Sequence, residues 1–339
     1  MIMDEERERL FREKLLSWFS ENARSLPWRK DPCLYKTVVS EFMLQQTQVK
    51  TVIPFFERWL KCFPDFETLA KSDVSTVIKL WEGLGYYSRA KNLRCFAQHF
   101  VQKPAKSFSD LLAFKGIGPY TAAAIASIAF HEKVAVVDGN VIRVLARVFN
   151  ITTIFPNKDN AVKYITPIAQ QLLDPKHPGD FNEAVMELGA VICGKNNPQC
   201  HYCPLKDLCG AFQEGTLQQC PQFVQLVRKK VLKKRFWFVN NDCILLEPSR
   251  IGGPNTLWEL PELTTERARC FLINQLIFTG KRSIGTSNIT EEIYSVTCPK
   301  LGKRSLKNME PCTYFPLKYL DEISLSGPHK RWIQQLLNL

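Results

Sequence analysis

Four cysteines lie close together in the segment CGKNNPQCHYCPLKDLC, residues 193 to 209. Their spacing is C-x6-C-x2-C-x5-C, through Cys193, Cys200, Cys203 and Cys209. Structural zinc sites usually combine two C-x2-C or H-x3-H pairs that lie a dozen or more residues apart, whereas this segment holds one C-x2-C pair. A compact loop of this kind is typical of a 4Fe–4S cluster, in which each iron binds one cysteine. The spacing therefore favours an iron–sulfur cluster and leaves zinc as the alternative.

The other eight cysteines are scattered singly along the chain, as small hydrophobic residues usually are. The N-terminal segment, MIMDEERERLFREKLL, is charged and acidic, so it resembles neither a signal peptide nor an acid-poor transit peptide. No apolar run approaches the length needed to cross a bilayer. We therefore expect an intracellular protein without membrane association, cytoplasmic (in the nucleoid) if bacterial, whose cysteines stay reduced.

The net charge of the chain is +12, from 45 Lys and Arg against 33 Asp and Glu. Such a basic balance is the electrostatic signature of proteins that neutralise nucleic-acid phosphates. Many basic proteins bind no nucleic acid, so charge alone leaves both possibilities open.

The length of 339 residues predicts two domains, because a single core usually stops growing below that size. Apolar residues recur at three- and four-residue spacing through 1–225, which predicts one helix after another. The basic run RKKVLKKR lies within 226–235 and predicts a solvated linker. Strand-like segments such as RFWFVNNDCILLEPS and EEIYSVTCP, with a closing helix, predict a smaller α/β domain over 236–339.

Two stretches in the helical part carry residues that often serve function. FKGIGPYTAAAIAS places Gly116 and Gly118 before a helix whose first N–H groups can bind an anion, although a tight interhelical turn fits equally well. VAVVDGNVIRVLARV places Asp138 at the start of another helix. An aspartate there is most often an N-cap, and in a perturbed environment it can be catalytic.

Together these stretches resemble the helix-hairpin-helix DNA glycosylases of the endonuclease III superfamily, and most closely its MutY-type adenine glycosylases. The resemblance is strong over residues 20 to 210 and weak over the remainder. The motifs that carry it stand in the family's order: LPWRK (26–30), SEFMLQQTQV (40–49), WEGLGYYSRAKNL (81–93), GIGPYTAAAI (116–125), VDGNV (137–141) and NEAVMELGAVIC (182–193).

This resemblance implies a mainly α helix-hairpin-helix glycosylase domain, with a hairpin at about 112–125 and a cluster loop at 193–209. A smaller α/β Nudix-like domain would follow it. The family implies one 4Fe–4S cluster, bound by the four cysteines of the loop. The implied activity is hydrolytic removal of adenine opposite 8-oxoguanine or guanine in double-stranded DNA, by a monomer that leaves the strand uncut.

Two carboxylates would divide the chemistry, as they do in glycoside hydrolysis. By resemblance, Glu41 is the acid that protonates adenine, and Asp138 is the carboxylate that stabilises positive charge on the sugar. The apolar neighbours of Glu41 should raise its pKa, as an acid working at neutral pH requires. Tyr120 stands where bifunctional relatives carry a lysine that attacks the sugar, so we expect Tyr120 to organise the sugar site.

The resemblance also implies contacts to DNA. Gln46 and Tyr87 would insert into the duplex when adenine is flipped out. The residues expected around the extruded adenine are Arg24, Leu26, Trp28 and Glu183. The residues expected against DNA phosphates at the hairpin are Lys115, Gly116 and Gly118.

The C-terminal part departs from the family at one point. The segment NTLWELPEL (255–263) fits the Nudix-like pattern, but the R-E-x-x-E-E helix of magnesium-dependent Nudix hydrolases does not follow it. The family's lesion-contacting loop usually carries phenylalanine, serine and histidine, and the best match here is Tyr294, Ser295 and Val296. We expect Ser295 to contact 8-oxoguanine, and the missing histidine predicts a weaker lesion preference.

Two alternatives remain at this point. One is a bifunctional endonuclease III-like glycosylase and lyase, which Tyr120 and the extra domain disfavour. The other is a non-catalytic, zinc-dependent DNA-binding protein, which would need no paired carboxylates and would be colourless when purified.

Overall fold

The protein forms two compact units, one mainly helical and one that contains sheet. The computed structural model describes residues 4–225, 228–249, 257–297, 311–320 and 322–338. The residues up to Leu84 and Arg89–Gln225 form the first unit, and Gly85–Ser88 group with the second. The predicted order, a mainly helical part followed by a smaller part with strands, is confirmed.

The first unit is a succession of helices with short connections. In chain order they are α1 Glu5–Asn22, α2 Leu34–Leu44, α3 Val49–Cys62, α4 Phe66–Lys71, α5 Val74–Trp81, α6 Ser88–Gln102, α7 Phe108–Leu112, α8 Pro119–Ala129, α9 Gly139–Val148, α10 Lys158–Leu172, α11 Pro178–Val191 and α12 Gly210–Gln213. Two short strands, β1 Ile154–Phe155 and β2 Gln222–Phe223, pair in parallel within this unit. Among the helices described, none combines the length and apolarity that a membrane crossing needs.

Polar side chains begin many of these helices. The residues that cap a first turn by accepting a backbone N–H are Asp4, Asp65, Asp73, Ser107, Asp138 and Asn157. Helix α8 instead begins at Pro119. Proline has no N–H, and the first residue of a helix needs none, because its N–H would have no partner within the helix. Its alanine-rich face is buried against α2 and α11, so the helix predicted from TAAAIASIAF is confirmed.

The largest core of the first unit surrounds α9 and α11. Val141 and Leu145 of α9 are buried with Leu188 of α11, and Phe11 of α1 joins them. Because α9 is buried along its length, its N-terminus is held in a fixed position. That N-terminus carries Asp138.

The second unit contains two small sheets. Its strands are β3 Lys229–Trp237, β4 Val239–Asn240, β5 Cys243–Pro248, β6 Trp258–Glu259, β7 Leu272–Ile284, β8 Ser287–Thr297 and β9 Thr313–Pro316. One sheet has the order β3-β8-β7, and the other has β4-β5-β6 with β9 paired to β5. Two helices, α13 Thr265–Ala268 and α14 Gly327–Leu337, complete the unit. Helix α14 lies close to β7, where a Cβ at Gly280 would come 2.4 Å from the Trp332 ring.

The linker predicted at 226–235 is wrong over most of its length. The strand β3 begins at Lys229 and pairs in parallel with β8 from Ser287 onwards. Its lysines are mostly exposed while Phe236 near its end is buried, so the basic composition hid a strand at a sheet edge. Edge strands often carry lysines, because their charge prevents pairing with another chain.

Arg235 of β3 lies at the centre of a buried ion cluster in the second unit. The side chain is 2% exposed and contacts three carboxylates, with Nε 2.7 Å from Glu291, Nη1 2.7 Å from Glu247 and Nη2 3.0 Å from Glu259. Burial alone would raise the pKa of Glu259, but hydrogen bonds and charges from its basic neighbours hold that pKa at about 2. Glu259 is therefore ionised, and its charge depends on the arginines around it.

Replacing this arginine is expected to destabilise the second unit. Arg235→Met removes the guanidinium that three buried carboxylates share, while Arg267 still pairs with Glu247 and Arg282 with Glu259 and Glu291. The free energy of unfolding of that unit should therefore fall by about 3 kcal/mol, the lower end of what breaking a buried ion pair costs. Hydrogen exchange of peptides from β5 and β8 would measure the loss. The matched control is Arg228→Met, at an exposed arginine, which should leave exchange unchanged. Equal protection in Arg235→Met and the parent would contradict the assigned role.

Candidate active site

One cavity of the first unit brings together most of the residues predicted for catalysis and adenine binding. Its volume is about 810 Å³, and residues from α1, α2, α8, α9, α11 and their connections line it. The predicted residues found in its wall are Arg24, Leu26, Trp28, Glu41, Tyr120, Asp138 and Glu183. These residues are separated by up to about 160 positions in sequence, so only the fold assembles them.

Glu41 on α2 is a buried carboxyl group, 6% exposed. Its Oε2 atom has no hydrogen-bond partner among the residues that the structure describes. Burial raises the pKa of Glu41 to about 8, and the negative charges of Glu183 and Asp138 add to this rise. A hydrogen bond from Tyr120 opposes the rise without cancelling it. Glu41 is therefore protonated at neutral pH, as the apolar flanks in the sequence predicted.

Asp138 is the N-cap of α9 and is only partly buried. Its Oδ1 accepts hydrogen bonds from the backbone N–H groups of Asn140, at 2.8 Å, and Val141, at 2.7 Å. Its Oδ2 accepts one from Nδ2 of Asn140 at 2.9 Å. Three donors at the positive end of a helix stabilise a carboxylate and fix its orientation. Asp138 thus caps helix α9 and also lines the cavity.

Tyr120 on α8 lines the same cavity as Glu41 and Asp138, and the charges of both act on it. Burial raises the pKa of Tyr120 well above its usual value, and the charges of Glu41 and Asp138 raise it further. Sδ of Met186 lies 3.5 Å from the hydroxyl oxygen of Tyr120, so the single hydroxyl proton can be donated either to Met186 or to Glu41. Tyr120 is therefore a neutral hydroxyl that contributes polarity and shape to the cavity.

The pairing of arginines and glutamates in the wall was not predicted from the sequence. Arg24 forms a bidentate pair with Glu187, with distances of 2.6 and 2.9 Å, and Arg29 contacts Glu183 at 2.8 Å and Glu187 at 3.2 Å. Burial raises the pKa of Glu183 even though Arg29 opposes it. Glu183 and Glu187 are one helical turn apart. From this spacing, Glu187 could have been identified as a second carboxylate on the same face of α11. Arg24 thus positions Glu187, while Arg29 positions Glu183.

Trp28 and Leu26 form an apolar part of the wall. They are 8% and 5% exposed, respectively. The Trp28 ring also makes an edge contact with Phe56, with ring centroids 5.4 Å apart. Trp28 therefore belongs to the core and also lines the cavity.

The residues predicted to contact the DNA backbone or to insert into the duplex lie outside the cavity wall. Gln46 is exposed, as are Lys115, Gly116 and Gly118 in the hairpin. Gly116 has φ +92, and a Cβ there would lie 2.4 Å from Nδ2 of Asn92, so only glycine fits this turn. Tyr87 is half-buried in the Gly85–Ser88 segment that groups with the second unit.

Ser295 lies within a strand, close to its C-terminal end, rather than in the loop that the family resemblance implied. It belongs to β8, and its hydroxyl is 3.4 Å from the backbone of Gln275. The neighbouring Val296 is 7% exposed and packs in a core with Phe236 and Phe271. Val296 therefore belongs to the hydrophobic core of the second unit. Contact between Ser295 and 8-oxoguanine stays a prediction.

The four cysteines of the predicted cluster loop line one pocket of the first unit. Arg147 enters this pocket and donates from Nη1 to Sγ of Cys193 at 3.3 Å and to the carbonyl of Gly194 at 2.7 Å. Burial raises the pKa of Cys203 to about 12 and that of Cys209 to about 11. Buried thiols of this kind become thiolates when a metal centre compensates their charge.

The part of the chain that the structure describes contains no set of three or more His, Cys, Asp or Glu close enough to hold a single metal ion. A tetrahedral zinc site needs four such ligands around one ion. The ligands of a 4Fe–4S cluster lie further apart, because each cysteine binds a different iron at a corner of the cube. Four cysteines around one apolar pocket are the donor set that a 4Fe–4S cluster uses.

A chain of hydrogen bonds connects the cluster loop to Asp138. Arg143 donates from Nε to the carbonyl of Cys193 at 2.7 Å and from Nη2 to Oδ1 of Asn140 at 2.9 Å. Asn140 in turn donates to Asp138. A Cβ at Gly189 would lie 2.5 Å from the Cβ of Asn140, so the helices are in close contact here. Displacement of the loop would therefore disturb the Asp138 carboxylate.

Comparison with known proteins identifies the family. Residues 39–170 match the model of the HhH-GPD superfamily base excision DNA repair proteins. An adenine DNA glycosylase of Buchnera aphidicola subsp. Schizaphis graminum (strain Sg) is 39% identical over 236 residues, which cover 68% of this chain and 67% of that protein. This chain belongs to the adenine DNA glycosylase family. The adenine DNA glycosylase of Rattus norvegicus is 45% identical over 229 residues, or 62% of this chain and 44% of the rat protein.

The adenine DNA glycosylase of Mus musculus is 45% identical over 319 residues, covering 76% of this chain and 61% of the mouse protein. The chain therefore spans less than two thirds of these mammalian family members. A solved structure of a thermostable thymine-DNA glycosylase is 25% identical, with a TM-score of 0.55, and covers 62% of this chain and 98% of that chain. A non-covalent endonuclease III–DNA complex, 17% identical with a TM-score of 0.52, shares the fold over 63% of this chain. The endonuclease III-like helical fold predicted from the sequence is thereby confirmed.

Proposed function

We propose that this member of the adenine DNA glycosylase family removes adenine hydrolytically from duplex DNA, where the adenine lies opposite 8-oxoguanine or guanine. The observation that carries the proposal is the pair of carboxyl groups in one cavity. Glu41 is buried and protonated, whereas Asp138 is held by three hydrogen-bond donors. Environments that separate the protonation states of two carboxyl groups are those that an acid and an anionic stabiliser require.

The departing base needs a proton, because adenine leaves poorly as an anion. Protonated Glu41 supplies it to N7 of the extruded adenine as the bond between C1′ and N9 breaks, and the bonding electrons leave with the base. Glu183, kept in place by Arg29, lies in the same wall and is proposed to accept a hydrogen bond from the adenine amino group. Trp28 and Leu26 would exclude water from the base.

The sugar is left with positive charge, which the Asp138 carboxylate stabilises across the cavity. Water then adds to C1′ and gives up a proton, so that the products are free adenine and an abasic site. Tyr120 adds a neutral hydroxyl near both carboxyl groups, at the position where bifunctional relatives carry a lysine. Since a tyrosine cannot form a Schiff base, we propose that the strand stays intact.

The remaining parts of the chain have proposed roles in recognition. Gln46 and Tyr87 would fill the space that the extruded adenine leaves, and the hairpin with Lys115 would bind phosphate. The four cysteines would hold one 4Fe–4S cluster, which orders the loop from Cys193 to Cys209 for docking on DNA. The second unit would be a Nudix-like region that contacts 8-oxoguanine, with Ser295 as the candidate contact.

Cleavage assays on defined duplexes test the proposal. The chain should release adenine from duplexes with adenine opposite 8-oxoguanine or guanine, and strand breaks should appear only after alkali is added. Strand breaks without alkali would favour a bifunctional glycosylase and lyase. The visible absorption of an iron–sulfur cluster would distinguish the enzyme from a zinc-dependent DNA-binding protein, which would be colourless and release no adenine.

Excision is expected to slow as the pH rises through about 8. Burial and neighbouring negative charges raise the pKa of Glu41 to about 8, so the acid is protonated below that pH and loses its proton above it. Above this pH, the second-order excision rate constant should fall by about tenfold for each pH unit, because that constant reports on the free enzyme. Glu41→Gln, which cannot donate the proton, should show a low rate without this dependence. A parent rate that stays constant well above pH 8 would contradict the acid role.

A further inference from the structure

One buried arginine contacts the chain on both sides of the exposed Gln46, through backbone carbonyls before it and a side-chain hydroxyl after it. Arg89 lies near the start of α6 and is 6% exposed. Its Nη1 donates to the carbonyls of Phe42, at 3.1 Å, and Met43, at 2.8 Å, and also to that of Gln45. Its Nη2 donates to Oγ1 of Thr47 at 3.0 Å. The guanidinium therefore binds the chain immediately before and immediately after Gln46.

The carbonyls that Arg89 binds are those that a helix end leaves without partners. Helix α2 ends at Leu44, so Phe42 and Met43 lie in its last turn. These carbonyls carry the negative end of the helix dipole and favour a cation. Nη2 of Arg89 also donates to the carbonyl of Leu84 at 3.0 Å, and the guanidinium lies 5.3 Å from the Trp81 ring centroid. These contacts fix the guanidinium as well as the turn.

The turn itself has a backbone conformation that its residue type disfavours. Gln46 has φ +57, in the left-handed region where a residue with a Cβ is strained. Such strain persists only where the surroundings hold the backbone in place. Arg89 supplies that restraint through its contacts before and after Gln46, and the side chain of Gln45 adds contacts to Gly116 and Thr121.

Gln45 connects the same turn to the hairpin. Its Nε2 donates to the carbonyl of Gly116 at 3.3 Å and to Oγ1 of Thr121 at 3.1 Å. Gly116 belongs to the hairpin proposed to bind phosphate, and Thr121 lies in the first turn of α8. The position of Gln46 is thereby fixed relative to the hairpin that would bind the DNA backbone.

We propose that Arg89 and Gln45 are positioning residues for base extrusion, which hold the Gln46 turn in its strained conformation before DNA binds. The proposal rests on the proposed insertion of Gln46 into duplex DNA. If the turn is already formed before DNA binds, no conformational entropy is lost in ordering it when Gln46 enters the base stack. Lysine cannot replace Arg89, because a single ammonium group does not match the fork of acceptors that the guanidinium binds.

A double-mutant cycle tests whether Arg89 acts through Gln46. Arg89→Lys should lower the single-turnover excision rate by about 10- to 100-fold, as small displacements of positioning groups do. In a Gln46→Ala background, the same change should cost little more, because the side chain that it positions is gone. Additive losses in the double variant would overturn the proposal. The matched control is Arg94→Lys on the same helix, where Nε binds the Ser72 carbonyl at 2.7 Å, and it should retain the parent rate.

A second variant, Gln45→Met, tests the positioning role without changing the buried Arg89. A second readout, fluorescence, tests it without relying on excision. Gln45→Met removes the connection to the hairpin at a partly exposed site and should show the same non-additive loss with Gln46→Ala. An unimpaired Gln45→Met would count against the proposal. Base extrusion is followed by fluorescence of 2-aminopurine placed beside the adenine, in a Glu41→Gln protein, whose slow excision leaves time to observe the extruded state.

The fluorescence rise should be reduced by Arg89→Lys and preserved by Arg94→Lys. If the parent excises no adenine but shows a rise that depends on Arg89, the proposed reaction fails and the positioning role stands. If neither the parent nor Glu41→Gln unstacks the probe, the positioning role fails as well.

Discussion

Asp138→Asn is expected to bind a mispaired duplex almost as tightly as the parent and to excise adenine at least about 10²- to 10³-fold more slowly. The carboxylate lies in the cavity proposed for catalysis, and the proposed phosphate contacts lie elsewhere in the first unit. Asparagine is also a good N-cap, so the amide can still accept the N–H groups of Asn140 and Val141. The substitution therefore removes the negative charge while keeping the start of α9.

Single-turnover excision with enzyme in excess separates this effect from DNA affinity. The matched control is Asp73→Asn, since Asp73 is the N-cap of α5 and lies outside the wall of the cavity that holds Asp138. That variant undergoes the same chemical change at a helix start and should excise adenine at the parent rate. If folded Asp138→Asn retained the parent rate, the charge of Asp138 would have no part in the reaction.

The sequence predicted those parts of the site that depend on local structure. Asp138 could be placed at a helix start because VDGNV precedes a helical pattern, and the structure shows that cap. The raised pKa of Glu41 could be predicted from its apolar flanks, since residues of one buried helix share an environment. The helix of TAAAIASIAF followed from its proline, glycine and alanines.

The parts that the sequence did not predict depend on contacts between distant residues. Arg29 pairs with Glu183 across 154 positions, and Gln45 reaches Gly116 across 71 positions. The strand β3 forms by pairing with β8, almost sixty residues further along, so its basic composition indicated a linker instead. Local propensity does not report such pairing, because edge strands tolerate charged residues.

Cys203→Ser is expected to abolish the visible absorption of the purified protein and to reduce its soluble yield at the same time. Cys203 lies with the three other cysteines around one pocket, and burial raises its pKa to about 12. Without a metal centre, the loop from Cys193 to Cys209 would lose the bonds that join its ends, because cluster binding and loop folding are one equilibrium. Soluble protein that remains should bind duplex DNA about tenfold or more weakly, through the loss of ordered phosphate contacts.

Cys220→Ser is the matched control, because Cys220 is a buried cysteine just beyond the loop and outside the C-x6-C-x2-C-x5-C set. It should keep the iron content and absorption of the parent. Excision by Cys203→Ser should also fall, since Cys193 is connected through Arg143 and Asn140 to Asp138. If Cys203→Ser stayed soluble, lost its iron and still bound DNA as tightly as Cys220→Ser, the cluster would have no role in docking. Unchanged excision in that protein would further show that the hydrogen bonds alone hold Asp138 in place.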